Sequence, residues 1–276
     1  RGATMIPLGG DAFPTTAAEL ADALRAALRE VVSLPDERAA VSVLGDRYPD
    51  ADRLRIDLSG GTVAVRGRPE DPTGVGPAQP GPSFKSLELL AHPLHADGAN
   101  LHFDLTAAGV RFQFDRTRTG KPVMTLAAAS DGRSVVRVSR AEVEALATAK
   151  VREAARQYGV EIERTDFALT QLGPRSVRLE AKAAVQAKGL MKAVRGAVAF
   201  AGRADVDDRL VAKLSELNVT GEGMVIAMAV ALIRGRLKAL EGKEVPLTAF
   251  ALGGVRLRDV EVQIGDELMV TAAFGS

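Results

Sequence analysis

Three groups of side chains in this chain carry the residue types that chemistry needs. His92, His95 and His102 are the only histidines, and they crowd into eleven positions. A zinc-like ion wants about four ligands converging on one point. Pro93 denies His92 and His95 a shared helix face, and no carboxylate stands at a spacing that completes the set, so solvated or capping roles are expected and no metal. Asp205, Asp207 and Asp208 in the run DVDD are the second group; paired carboxylates can hold a hard cation or activate a water. They fall between two strand patterns, where Asp favours turns, and a turn is the expectation. The chain has no Cys, no nucleophile elbow, no P-loop and no GxGxxG in a strand-turn-helix setting. Neither catalysis nor a cofactor is expected.

The third group is a run of charge. From Ala181 to Ala204 the chain carries Lys182, Lys188, Lys192, Arg195 and Arg203 and no acidic residue. Lys188, Lys192 and Arg195 flank the apolar Leu190, Met191 and Val194, a patch that suits peripheral contact with an anionic membrane, where each cation contributes about 1 kcal/mol. Elsewhere the charges balance: 36 Lys and Arg against 35 Asp and Glu leave a net +1, so no overall field gathers nucleic acid. Trp is absent and Tyr occurs twice, which removes the platforms on which bases stack.

These groups sit beside an apolar segment, MVIAMAVALIRGRLKA, that opens with an unbroken run from Met224 to Ile233. Spanning a bilayer as a helix takes roughly 20 apolar residues, and Arg234 and Arg236 stop this run far short. A helix apolar all round must be buried, either in a core or against something greasy.

The elements that position these residues follow from periodicity. TTAAELADALRAALREVV opens with Thr16 and Glu19 in capping-box spacing, carries Leu20, Leu24, Ala27, Leu28 and Val31 on one stripe, and is stopped by Pro35. A second box, Ser139 and Glu142, opens a helix whose stripe is Val143, Leu146, Ala147, Val151 and Ala154, closed by Gly159. Leu54, Ile56 and Leu58, a turn at Ser59-Gly60-Gly61, then Val63 and Val65 read as a hairpin. Residues 67–83 are so rich in Pro and Gly that a flexible surface loop is expected. Strand patterns follow from Phe84, recur after the second helix up to the apolar one, and close the chain after Glu244. Meanders without room for crossover helices predict an α+β fold with helices on one face of antiparallel sheet. Small residues in LAAAS, EAKAAVQAKG and GAVAFAG leave space on the face they present.

This order of elements, with the close VPLTAFALGGVRLRDVEVQIGDELMVTAAFG, resembles the LmeA-like family of extracytoplasmic bacterial proteins, most strongly from Pro246 to Leu268. That family is similar in fold to the tubular lipid-binding superfamily, in which long curved antiparallel sheet meanders wrap around helices and leave an apolar tunnel. The resemblance implies one elongated lipid-binding-like domain over residues 1–276, a periplasmic or extracytoplasmic location, a lipid or other amphiphile as partner, and no catalytic residues. Met224, Ile226, Met228, Val230, Ile233 and Leu237 would then line a groove between the third helix and the sheet. The competing expectation is a non-enzymatic scaffold or interaction domain in which the same helix is ordinary interior.

Overall fold

A computed structural model describes residues 5–63, 78–96, 98–156, 160–187, 195–222, 230, 234–235, 238–247 and 255–276. The described chain is mostly β-sheet with a minority of helix, as the α+β expectation requires. Where one domain is expected, the chain gathers into two compact units: residues 1–138, 247–260 and 269–276 make the first, residues 139–246 and 261–268 the second.

In the first unit, β1 (Met5–Pro7), α1 (Ala17–Val31), β2 (Val32–Ser33), β3 (Val41–Leu44), β4 (Asp50–Asp57), β5 (Thr62–Val63), β6 (Gln79–Ala96), β7 (Ala99–Arg116), β8 (Pro122–Ala128) and β9 (Asp131–Ser139) follow one another. With β15 (Arg256–Ile264) and β16 (Glu267–Gly275) they form a sheet ordered β15-β16-β9-β7-β6-β4-β3, with β1, β2, β5 and β8 joined along its sides. α1 starts as its box predicts: the Glu19 N–H donates to Thr16 Oγ1 at 3.2 Å, while the Glu19 carboxylate accepts from the N–H and hydroxyl of Thr15 at 2.7 and 2.9 Å. The backbone bond from Thr15 is the largest cause that holds the Glu19 carboxyl below its ordinary pKa. The helix presses Leu20, Leu24 and Ala27 into a core with Leu54, Ile56, Phe84, Val110, Phe112 and Met124. Val31, expected on that stripe, is exposed, because the helix ends there and the chain enters β2.

Two expectations are corrected here. The residues read as a hairpin do not pair with each other: β4 pairs antiparallel with β3 and parallel with β6, while β5 pairs with β2 and, parallel, with β6 at Thr62 and His95. The turn between them advances along β6 instead of reversing, since the Leu58 N–H donates to Leu90 O and the Gly60 N–H to Pro93 O at 2.7 Å each. The loop expected through Ser83 stops before Gln79, where β6 begins. Pro80 stands opposite Gln113 next to a bulge, Pro82 is fully buried, and Gly81 lies so near β7 that an added Cβ would sit 2.9 Å from Phe112 O. Proline is tolerated in a strand where a bulge spares its missing donor. Residues 67–77 lie outside the described residues, as does Val65.

In the second unit α2 (Arg140–Arg156) precedes a meander of β10 (Val160–Gly173), β11 (Ser176–Ala187), β12 (Arg195–Val206), β13 (Val211–Glu222) and β14 (Glu244–Pro246), antiparallel and in sequence order. The Ser139 hydroxyl accepts from the Glu142 N–H at 3.2 Å and lies 2.7 Å from its carboxylate, so the second capping box also forms. Of the apolar third helix, Val230, Arg234, Gly235 and residues 238–240 are helical and the remainder lies outside the described residues.

Candidate functional site

The second unit's sheet is two-faced, and register shows how. Phe167, Ala181, Phe200 and Val219 stand opposite one another across β10 to β13; Thr165, Ala183 and Val198 form the next row, Leu169, Leu179 and Gly202 the one beyond, and Ile162 and Val185 close the other end. Residues directly opposite share a face, so these rows make one apolar surface. Ile162, Val185, Val219 and Val230 are buried together on it, which places the third helix at Val230 against that face. Arg234 one turn on donates to Val219 O at 3.2 Å, and the Thr148 and Thr165 hydroxyls, 2.7 Å apart, fix α2 to the same face.

Coverage is incomplete. Phe167, Leu169, Leu179, Val198 and Phe200 are only half-buried, as are Val143, Leu146 and Ala147 of α2, and Val151 is exposed. Ala181 and Ala183 stand where longer side chains would fill the surface, whereas Gly202 makes way for its neighbours, since a Cβ there would lie 2.9 Å from Leu217 and 3.1 Å from Phe200. An uneven apolar strip of half-buried side chains remains among the described residues.

The opposite face is charged. Arg203 pairs with Asp205 at 2.8 Å and Glu216 at 3.5 Å, and Arg178 pairs with Glu216. Partial burial opposes ionisation of Asp205, but hydrogen bonds from Ser176 and Arg203 outweigh it and hold the carboxyl below its ordinary value. Two cations of the basic stretch therefore have acidic neighbours: Arg203 has Asp205 two residues on and Glu216 on the adjacent strand, and Lys182 stands opposite Asp166. Lys188 and Lys192 lie outside the described residues, and of Arg195 only the backbone is described, at the start of β12 opposite Gln186. Met224, Ile226, Met228, Ile233 and Leu237 also lie outside them, so Val230 alone of the expected groove residues is placed.

The other candidates resolve into structure. Asp207 and Asp208 form the β12–β13 turn: Asp207 Oδ1 accepts from the N–H groups of Arg209 and Val211 at 2.9 and 2.8 Å, and Asp208 pairs with Arg175. Leu210 takes a positive φ of 59° in that turn and buries its side chain. In the first unit His92 Nε2 lies 2.6 Å from Asp104, whose other oxygen accepts from Arg137 at 2.6 Å, and the His102 ring stands edge-on to His92. Among the described residues no group of three or more His, Cys, Asp or Glu side chains could hold a metal ion. The Tyr48 hydroxyl donates to Pro14 O, and burial with the nearby Glu19 charge pushes its pKa up to about 12, which makes it a neutral tie and no base. Among the described residues no helix is long and apolar enough to cross a membrane.

The half-covered strip was not singled out from sequence, although Phe167, Leu169 and Leu179 alternate as a one-sided strand must; only cross-strand register shows that their rows coincide. Comparisons with protein-family models, curated proteins and solved structures find no match for the chain.

Proposed function

We propose that the protein binds a lipid or other amphiphile whose acyl chain lies along the apolar face of the second unit's sheet, between that sheet and the third helix. The observation that carries this reading is the strip of Phe167, Leu169, Leu179, Val198 and Phe200, half-buried on a face where only Ile162, Val185, Val219 and Val230 form a closed cluster among the described residues. Exposed contiguous apolar surface on a folded chain calls for a partner. Binding without catalysis fits the absence of a nucleophile or a convergent acid and base along the strip. The resemblance to LmeA-like and tubular lipid-binding proteins adds a tunnel-like sheet and an extracytoplasmic location to the proposal, and Lys188, Lys192 and Arg195 add a route of approach to anionic membrane.

Organic extraction of the purified protein followed by mass spectrometry is the test. About one acyl lipid per chain is expected, falling several-fold in Leu179→Asp/Phe200→Asp if that variant keeps its circular dichroism. A lipid-free protein that also fails to take up a fluorescent fatty acid would leave the scaffold reading in its place. Membrane approach is checked by cosedimentation with anionic and neutral liposomes, where Lys188→Glu/Lys192→Glu/Arg195→Glu and added salt should each release the protein.

A further inference from the structure

The first unit carries a second binding surface of a different kind. β3 is the last strand of its sheet, and α1 runs beside it without sealing it. Between them lies an open cleft of about 520 Å³ lined by Ala17, Ala18, Ala21, Asp22 and Arg25 from α1 and by Val41 and Val43 from β3, with Arg38 at its margin. Three alanines on the helix side are the reason for the space.

The backbone of β3 shows which groups face the cleft. The Asp57 N–H donates to Ala40 O, and the register pairs Val41 with Ile56 and Val43 with Leu54, so residues 40, 42 and 44 bond to β4 while Val41 and Val43 turn their N–H and C=O groups outward. Val41 O accepts from Arg25 Nη2 at 2.7 Å. Among the described residues the outward groups of Val43 meet no partner. Unpaired strand edges attract another strand unless they are blocked, and here Arg25 covers one acceptor only. Among the lining residues two cations, Arg25 and Arg38, stand against one anion, Asp22. Arg25 pairs through Nη1 with Asp22 at 2.7 Å, yet its Nε is buried with no hydrogen-bond partner, and the Arg38 side chain makes no ion pair among the described residues. Leu44, 53% exposed, extends the edge on its other face.

We infer that this cleft docks an extended segment of a partner protein, which adds to β3 as a further strand and places an acidic side chain between Arg25 and Arg38. A strand is the form that satisfies Val43, the alanines admit its side chains, and a carboxylate supplies a partner for the Arg38 guanidinium. This surface is separate from the acyl-binding face and stands or falls without it.

The test is selection of phage-displayed random heptapeptides on the immobilised full chain, followed by anisotropy titration of the synthetic peptides recovered. Enrichment of Asp or Glu among β-branched residues is expected, together with slowed hydrogen exchange at the Val43 amide. Val43→Pro removes the outward donor while leaving the β3–β4 bonds in place, and Ala18→Glu repels the acidic segment from an exposed position in the first helical turn, where a carboxylate suits the helix. Each should weaken binding at least tenfold with the circular dichroism unchanged. The proposal is overturned if no peptide is enriched, or if the recovered peptides bind both variants as they bind the parent. It is equally overturned if the parent alone forms a dimer abolished by Val43→Pro, which would make a second copy the occupant.

Discussion

The two units solve the same problem, a sheet with one greasy face, in opposite ways. In the first, α1 drives Leu20 and Leu24 to 0% and 1% exposure against Leu54, Val110 and Met124, while Leu28 and Val43 stay half-buried at the margin of that core. In the second, α2 buries none of its described residues, and a sheet whose four long strands each run at least twelve residues gathers a closed cluster of four side chains among the described residues. The difference lies in what is laid on the sheet: large γ-branched residues at helical spacing in α1, against a mixture of Val, Ala, Glu and Thr in α2. One unit closes its core around its helix, and the other leaves described apolar residues of its sheet half-buried.

That contrast is broken most directly by truncation. Leu54→Ala should cost about 2 to 5 kcal/mol, since it opens a cavity in a closed core. Phe200→Ala in the half-covered strip should cost roughly 1 to 2 kcal/mol, because much of the ring is already in contact with water. Urea unfolding followed by circular dichroism reads both, and equal losses would mean that the second unit is packed as tightly as the first. Gly132→Val comes next. Its Cβ would lie 2.1 Å from the Phe274 ring, so the ring must leave the surface of β9 at about 1 to 3 kcal/mol, seen as a lower melting temperature.

Smaller effects sharpen the same comparison. Thr16→Ala removes the cap of α1 and should lower stability by about 1 kcal/mol in thermal melts, while Ser139→Ala should register mainly as faster hydrogen exchange within α2, a helix that little else holds down. The smallest effect is one of pH. Asp205 has its folded pKa depressed, so its contribution is present above the unfolded value of about 3.9 and is lost as pH falls through the folded value. Acid titration of Ser176→Ala should start from a lower stability than the parent above pH about 4 and show a weaker loss on acidification, the two curves converging at low pH.

Much of this architecture was legible. Both capping boxes fixed helix starts because an N-cap is a local bond between residues three apart, and the strand patterns expected from Phe84 onward fall in β6 to β9. What was not legible depends on partners distant in sequence. Parallel pairing of β4 with β6 is invisible to a reading that joins neighbouring strands, and Pro80 and Pro82 read as loop because nothing local says that β7 waits beside them. The charge run has the same dependence: Asp205 stands two residues from Arg203, just past the run, but Glu216 comes to it from the adjacent strand and Asp166 stands opposite Lys182. The half-covered strip shares that dependence, since Phe167 and Phe200 meet in one row only through the intervening β11.

The first unit's chain is interrupted by most of the second, and β16 lies next to β9 although the whole of α2 and β10 to β15 separates them in sequence. During synthesis β9 must therefore wait for its neighbour while roughly 130 residues are added, about 6 to 25 s at ordinary ribosomal speeds. For that interval its edge lies open, and the ring of Phe274 that will cover Gly132 has not yet been made. The meander from β10 to β13, contiguous and joined by short turns, can pair as it emerges. The unit with the looser core is thus the one able to fold first, and the tightly packed unit is the one whose nascent sheet needs shielding until the last strand arrives.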